Sequence, residues 1–184
     1  MTPPLLVARL ILLQPWGLTM IRILLAFFAA SILATSIADT ASAQQLVQRR
    51  DVSYALALAI ATGAVDACRA LGFTSSAVVV VGLGGDTIIA ASDDNARPHA
   101  MEAARRKAYT SRTFAITTTD FSKELPDRPS RRAQVLLPNI TSLDGGVPIK
   151  LGNDVIGGVG VAGSPGKDEQ CANAGLEKVK AALE

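Results

Sequence analysis

The chain has 184 residues, a formal net charge of +2 and 49% hydrophobic residues. That length holds one core, with or without a leader, and the near-balanced charge gives no basic footprint for nucleic acid. Aromatics are only 4% of the residues, so the core must be built from Ala, Val, Ile and Leu, which suits helices packed closely on a sheet.

Residues 20 to 43 read as a secretory leader. Arg22 supplies a basic start, Ile23 to about Ala38 an apolar run, and Ala41-Ser42-Ala43 a small-x-small cleavage pattern. Cleavage there makes Gln44 the mature start. Pro3, Pro4 and Pro15 interrupt residues 1 to 19, so Met20 is the better start of the leader. The alternative is an uncleaved anchor, but the apolar run is shorter than the roughly 20 residues a spanning helix needs. Without Arg9, Arg22 and Asp39, the remaining 16 basic and 15 acidic residues give residues 44 to 184 a net charge of +1.

The mature part opens with a helix predicted over Tyr54 to Leu71, capped by Asp51 or Ser53 and stopped by Gly72. Leu56, Ile60, Ala64, Cys68 and Leu71 form its apolar stripe. Ala77 to Val81 and Thr87 to Ala91 make a hairpin around Gly82 to Asp86. The first of these strands is apolar on both faces and belongs in the middle of a covered sheet. Pro98 opens a second helix that runs to about Thr113. A short helix, Asp120 to Leu125, follows a Thr118 or Thr119 cap. Pro126 to Arg132 reads as a loop, and Gln134 to Leu137 as a third strand.

Val147 to Leu151 and Val155 to Val161 form a second hairpin around Gly152-Asn153-Asp154. Gly157, Gly158 and Gly160 lie inside its second strand, where glycine normally weakens a strand. Something must approach the backbone closely there: a packed helix, a subunit or a flat ligand. The last helix begins after Gly166-Lys167-Asp168 and runs to Leu183, with Ala172, Leu176, Val179 and Leu183 as its core stripe. Hairpin strands with segregated helices indicate an antiparallel sheet in an α+β domain.

His99 is the only histidine. It is a candidate axial ligand for an iron porphyrin or another metal, or else an exposed or capping residue. On helical spacing it falls near Arg106 and Thr110, with the small Ala103 between them, a face that suits an acidic flat cofactor. Arg105, Arg106, Lys107 and Arg112 make this helix basic; the choices are a solvated face or carboxylate binding. Arg128, Arg131 and Arg132 form a second cluster with the same two readings. The loop Gly163-Ser164-Pro165-Gly166 offers N–H groups to an anion but lacks a P-loop ending. Asp168 and Glu169 there read as helix capping or as metal ligands. Cys68 and Cys171 meet in a disulfide if their helices pack antiparallel; otherwise they are two buried thiols. No HExxH, Cys-x-x-Cys or Ser-His-Asp constellation supports zinc or hydrolytic chemistry.

The ordered set of segments resembles the GlcG/HbpS-like, heme-degrading-domain family. It comprises Ala55 to Ala59, Ala77 to Val81 with Gly84-Gly85, and Ala104 to Ser111 (ARRKAYTS). It continues with Gly145 to Ile149, Val155 to Gly163 and Lys167 to Ala172. The resemblance covers nearly all of residues 52 to 184. It implies a profilin-like three-layer α/β/α domain with a central antiparallel sheet, a homo-oligomer, and heme or a related tetrapyrrole as ligand in a periplasmic or secreted protein. His99 or Thr110 would then lie near the iron, and Arg105, Arg106 or Arg112 near the propionates, with Tyr109 a further candidate. Heme storage, sensing or slow degradation are the implied roles, and no residue identifies itself as a catalyst. The alternative is a GlcG- or PduO-type auxiliary protein of glycolate or corrinoid metabolism.

Overall fold

Residues 47–184 are described by a computed structural model. The leader-like segment 20–43 lies outside them. Ser53 caps the first helix, α1 (Tyr54–Ala70), by accepting from the Leu56 N–H. The rival cap, Asp51, instead accepts from the Leu83 N–H at 2.7 Å and ties the chain to the first hairpin turn. Gly72 ends the helix at φ +87°, a left-handed conformation that a side chain disfavours. Ala57, Ile60, Ala61, Ala64 and Cys68 form the buried face, whereas Leu71 is exposed.

The strands are β1 (Ala77–Val81), β2 (Thr87–Ser92), β3 (Gly146–Leu151) and β4 (Asp154–Ala162). They pair antiparallel throughout in the order β2-β1-β4-β3, so β1 and β4 are central. Every residue of β1 is buried, as its two apolar faces require. Alternation sorts its side chains: Val78 and Val80 join a cluster with α1, while Ala77, Val79 and Val81 join a cluster on the other face.

That other face is covered by α2 (Ala100–Phe114), which buries Ala100, Ala104, Lys107, Ala108, Thr110 and Ser111. The glycines of the second hairpin let it come close. A Cβ on Gly160 would strike the Ala104 carbonyl, one on Gly158 the Ala108 carbonyl, and one on Gly146 the Lys107 carbonyl. Gly160 pairs with Gly146 on one side and Val79 on the other, so a row free of Cβ crosses β3 and β4 beneath the helix. The close approach legible in the sequence is therefore that of a packed helix.

Two short helices follow, α3 (Thr118–Glu124), capped by Thr117, and α4 (Pro129–Gln134). The strand expected over Gln134 to Leu137 does not form. Pro129 starts a helical turn, and the bonds Val135 N–H to Arg131 and Leu137 N–H to Gln134 continue it, leaving Leu136 and Leu137 exposed. The sheet thus has four strands. The final helix is divided into α5 (Asp168–Glu177) and α6 (Lys180–Leu183). α5 packs beside α1 on the face opposite α2, completing a three-layer α/β/α arrangement.

Candidate functional site

The N-terminal end of α2 opens onto a cleft of about 380 Å³. His99 and Arg97 enter it from the turn before the helix, and Ala100, Ala103 and Lys107 from the helix itself. Phe73 comes from the segment after α1, Leu143 and Asp144 from the approach to β3, and Gly163, Pro165 and Asp168 from the loop between β4 and α5. Methyl, ring and leucine surface supplies apolar walls around a small charged set.

The charged floor is a buried ion pair. Lys107 and Asp168 are 4% and 5% exposed. The Lys107 ammonium donates to Asp168 Oδ2 at 2.7 Å and to the Val161 carbonyl at 2.8 Å. Asp168 Oδ1 accepts from the Ser164 N–H at 2.7 Å. Burial pushes the Asp168 carboxyl above its ordinary range, against the opposing pull of Lys107 and the Ser164 amide. This pair was not singled out from sequence. The available signal was periodicity: Ala100, Ala104, Lys107, Ala108 and Ser111 make one helical stripe of small residues with a lysine in its middle.

The other residues singled out from sequence scatter. His99 stands at the α2 cap, exposed, with no side-chain cap hydrogen bond, and reaches the cleft. Thr110 is fully buried, and its hydroxyl accepts from the Thr141 N–H at 3.0 Å, so it does not share the cleft with His99. Arg105 and Arg106 both bind Glu102 at 2.8 Å, and Arg105 also donates to Asn139. The two guanidiniums hold the Glu102 carboxyl down at about 2. Tyr109 packs over Gly85 and lines a separate groove of about 420 Å³ with Phe114, Leu137, Pro138 and Ile140. Arg112 lies over Gly158, away from the cleft, with its Nε buried and unpartnered.

The second arginine cluster is structural. Arg131 stacks 4.5 Å from the Phe114 ring and binds Glu124, which Arg128 also binds, while Arg132 caps the Leu125 and Pro126 carbonyls. In the glycine-rich loop the Ser164 N–H is already taken by Asp168 and the Lys167 N–H by the Ser164 carbonyl, so neither is free for an anion. Glu169 accepts a hydrogen bond from the Thr119 hydroxyl. No group of three or more acidic, His or Cys ligands is gathered among the described residues.

A disulfide joins Cys68 to Cys171, with 5.4 Å between their Cα atoms. It lies just behind the cleft. Ser164 Oγ donates to Cys68 Sγ at 3.1 Å and stands 2.7 Å from Ser76 Oγ, while the Ser75 hydroxyl holds the Gly163 carbonyl at 3.0 Å. The wall carrying Gly163, Pro165 and Asp168 is thereby fastened to the end of α1.

Residues 52–177 match the family model described as haem degrading protein HbpS-like. The chain belongs to that family. A double mutant of Streptomyces reticuli HbpS is 30% identical, with a TM-score of 0.68 over 73% of this chain and 90% of that one. The Klebsiella pneumoniae protein ORFY is 22% identical, with a TM-score of 0.69 over 75% of this chain and 97% of that one. A PduOC:heme complex is 20% identical, with a TM-score of 0.63 over 68% of this chain and 93% of that one. No curated protein matches the chain in sequence.

Proposed function

We propose that this chain is an exported heme-binding protein that seats heme at the His99 cleft. The observation that carries the reading is the cleft itself: an exposed imidazole with no cap bond, set among Phe73, Ala100, Ala103, Leu143 and Pro165. Those residues suit a porphyrin, since apolar side chains meet the macrocycle faces and a free histidine nitrogen can ligate iron. Membership in a family described as haem degrading, and a heme-bound relative of the same fold, support it. At about 380 Å³ the cleft lies at the small end of ligand sites, so part of a macrocycle would remain outside it. A second subunit covering that part fits the homo-oligomer that the family resemblance implies.

Export is supported by the leader-like segment Met20 to Ala43 and by a disulfide, which persists in oxidising compartments. The mature domain would be residues 44 to 184, periplasmic or secreted. Storage, sensing or slow degradation of heme all suit such a protein. Degradation would consume an external reductant with dioxygen or peroxide.

Titration of residues 44 to 184 with hemin tests the reading. Saturable binding with a shifted Soret band is expected, and its absence would sink the proposal. His99→Ala should alter that spectrum. An unaltered spectrum removes His99 as the ligand and leaves the binding reading in place.

A further inference from the structure

The cations named from sequence as propionate partners are already engaged or misplaced. Arg105 and Arg106 share Glu102, and neither lines the cleft. Arg112 lies over Gly158, outside the lining. Lys107 does line it, but its charge is matched by Asp168 at 2.7 Å. Arg97 is different. It is exposed, it lines the cleft two residues before His99, and it has no side-chain hydrogen bond or carboxylate partner among the described residues.

The one carboxylate of the lining not held in an ion pair is Asp144, on a different segment, exposed beside Leu143. The lining thus carries one guanidinium and one carboxylate outside any ion pair, Arg97 on the His99 segment and Asp144 on the approach to β3, where Asp144 also adds to the negative potential at Asp168. A neutral flat ligand would gain nothing from this arrangement. A ligand with carboxylates along one edge is attracted at Arg97 and repelled at Asp144, which fixes which way round it enters.

We infer that Arg97 is the specificity-determining residue of the cleft, holding a carboxylate of the ligand, and that Asp144 sets the ligand's orientation by repulsion. The inference rests on the heme reading above, in which the carboxylates are the propionates. An arginine fork meets a carboxylate bidentately, so its loss is a loss of geometry as well as of charge.

The test is hemin titration of Arg97→Glu, Arg97→Lys and Asp144→Asn against the unaltered protein, with hemin dimethyl ester as a second probe. Arg97→Glu should weaken hemin binding at least about tenfold, the scale of one charge-assisted hydrogen bond. Arg97→Lys should recover part of that loss, and Asp144→Asn should tighten binding a few-fold. The ester, which has no carboxylates, should bind all four proteins alike. Melting temperatures should be unchanged, because both side chains are exposed. Tight hemin binding unaffected by Arg97→Glu, or equal losses for hemin and its ester, overturns the anchor while the heme reading stands. No saturable hemin binding by any of the proteins overturns both.

Discussion

Breaking the Lys107–Asp168 pair should be far more damaging than removing it whole. Both ends are nearly dry, and the carboxyl is raised by burial despite an ammonium and an amide within 2.7 Å. Desolvation therefore offsets much of the Coulomb attraction, as is common for buried pairs. Asp168→Asn keeps an oxygen for the Ser164 N–H but turns an amide NH2, a donor, toward the Lys107 ammonium, where a protonated carboxyl would still offer a lone pair. The loss is about 3–5 kcal/mol. For a domain of this size that lowers Tm by on the order of 10–15 °C. Lys107→Met strands the carboxylate instead, which can take up a proton. Its penalty should shrink as pH falls from 7 to 5, while the Asp168→Asn penalty should not. In the unaltered protein the raised carboxyl makes stability decline as pH rises from its ordinary range through the folded value. Lys107→Met/Asp168→Asn should recover at least about 2 kcal/mol relative to the sum of the single losses. Urea unfolding with the disulfide intact measures all four proteins. A loss below about 1 kcal/mol for Asp168→Asn, or simple additivity in the cycle, refutes the reasoning.

Three further outcomes are expected. Glu102 titrates at about 2 because Arg105 and Arg106 bind it, so its stabilisation is present above the ordinary glutamate range and fades as pH falls toward 2. It is 48% exposed, so Glu102→Gln should cost no more than about 1 kcal/mol at pH 6, and less in high salt; an equal difference at pH 2.5 argues against it. Cys68 and Cys171 are 103 residues apart, and Cys68→Ala/Cys171→Ala should lower unfolding free energy by about 2–5 kcal/mol. Both sulfurs are buried, so thiol labelling should follow reductant treatment only when denaturant is present. Gly160→Ala should destabilise by about 1–3 kcal/mol or more, since α2 must lift off the sheet; a melting curve identical to that of the parent protein would contradict the packing account.

The strands and long helices were legible because their signals are local. Five apolar residues from Ala77 to Val81 admit a central strand, and Gly72 admits a helix end. The short apolar run Val135-Leu136-Leu137 misled because its neighbours, not its own residues, decide its state: a turn begun at Pro129 winds on through it. The arginines misled for a related reason. Arg105, Arg106 and Lys107 are consecutive and chemically alike in the sequence, yet 100° of helical rotation per residue puts two on Glu102 and one under the cleft. Their partners differ because their faces differ. The partner of Lys107 lies 61 residues away, beyond the reach of any local pattern.

The glycines and the site are one construction. Gly146, Gly158 and Gly160 let the carbonyls of Lys107, Ala108 and Ala104 settle onto the sheet, which fixes the height of α2. At that height the Lys107 side chain reaches the Val161 carbonyl at the end of β4 and Asp168 at the start of α5. A bulkier row would lift the helix, part the ion pair and move His99 and Arg97 relative to the Gly163–Asp168 wall. Substitutions beneath α2 should therefore weaken ligand binding as well as folding, although no glycine of that row lines the cleft. Gly152 offers the control: it sits in an open turn at φ +60°, with nothing near an added Cβ, so Gly152→Asn should leave hemin affinity unchanged. Equal effects at Gly152 and Gly160 would show that the helix height does not govern the site.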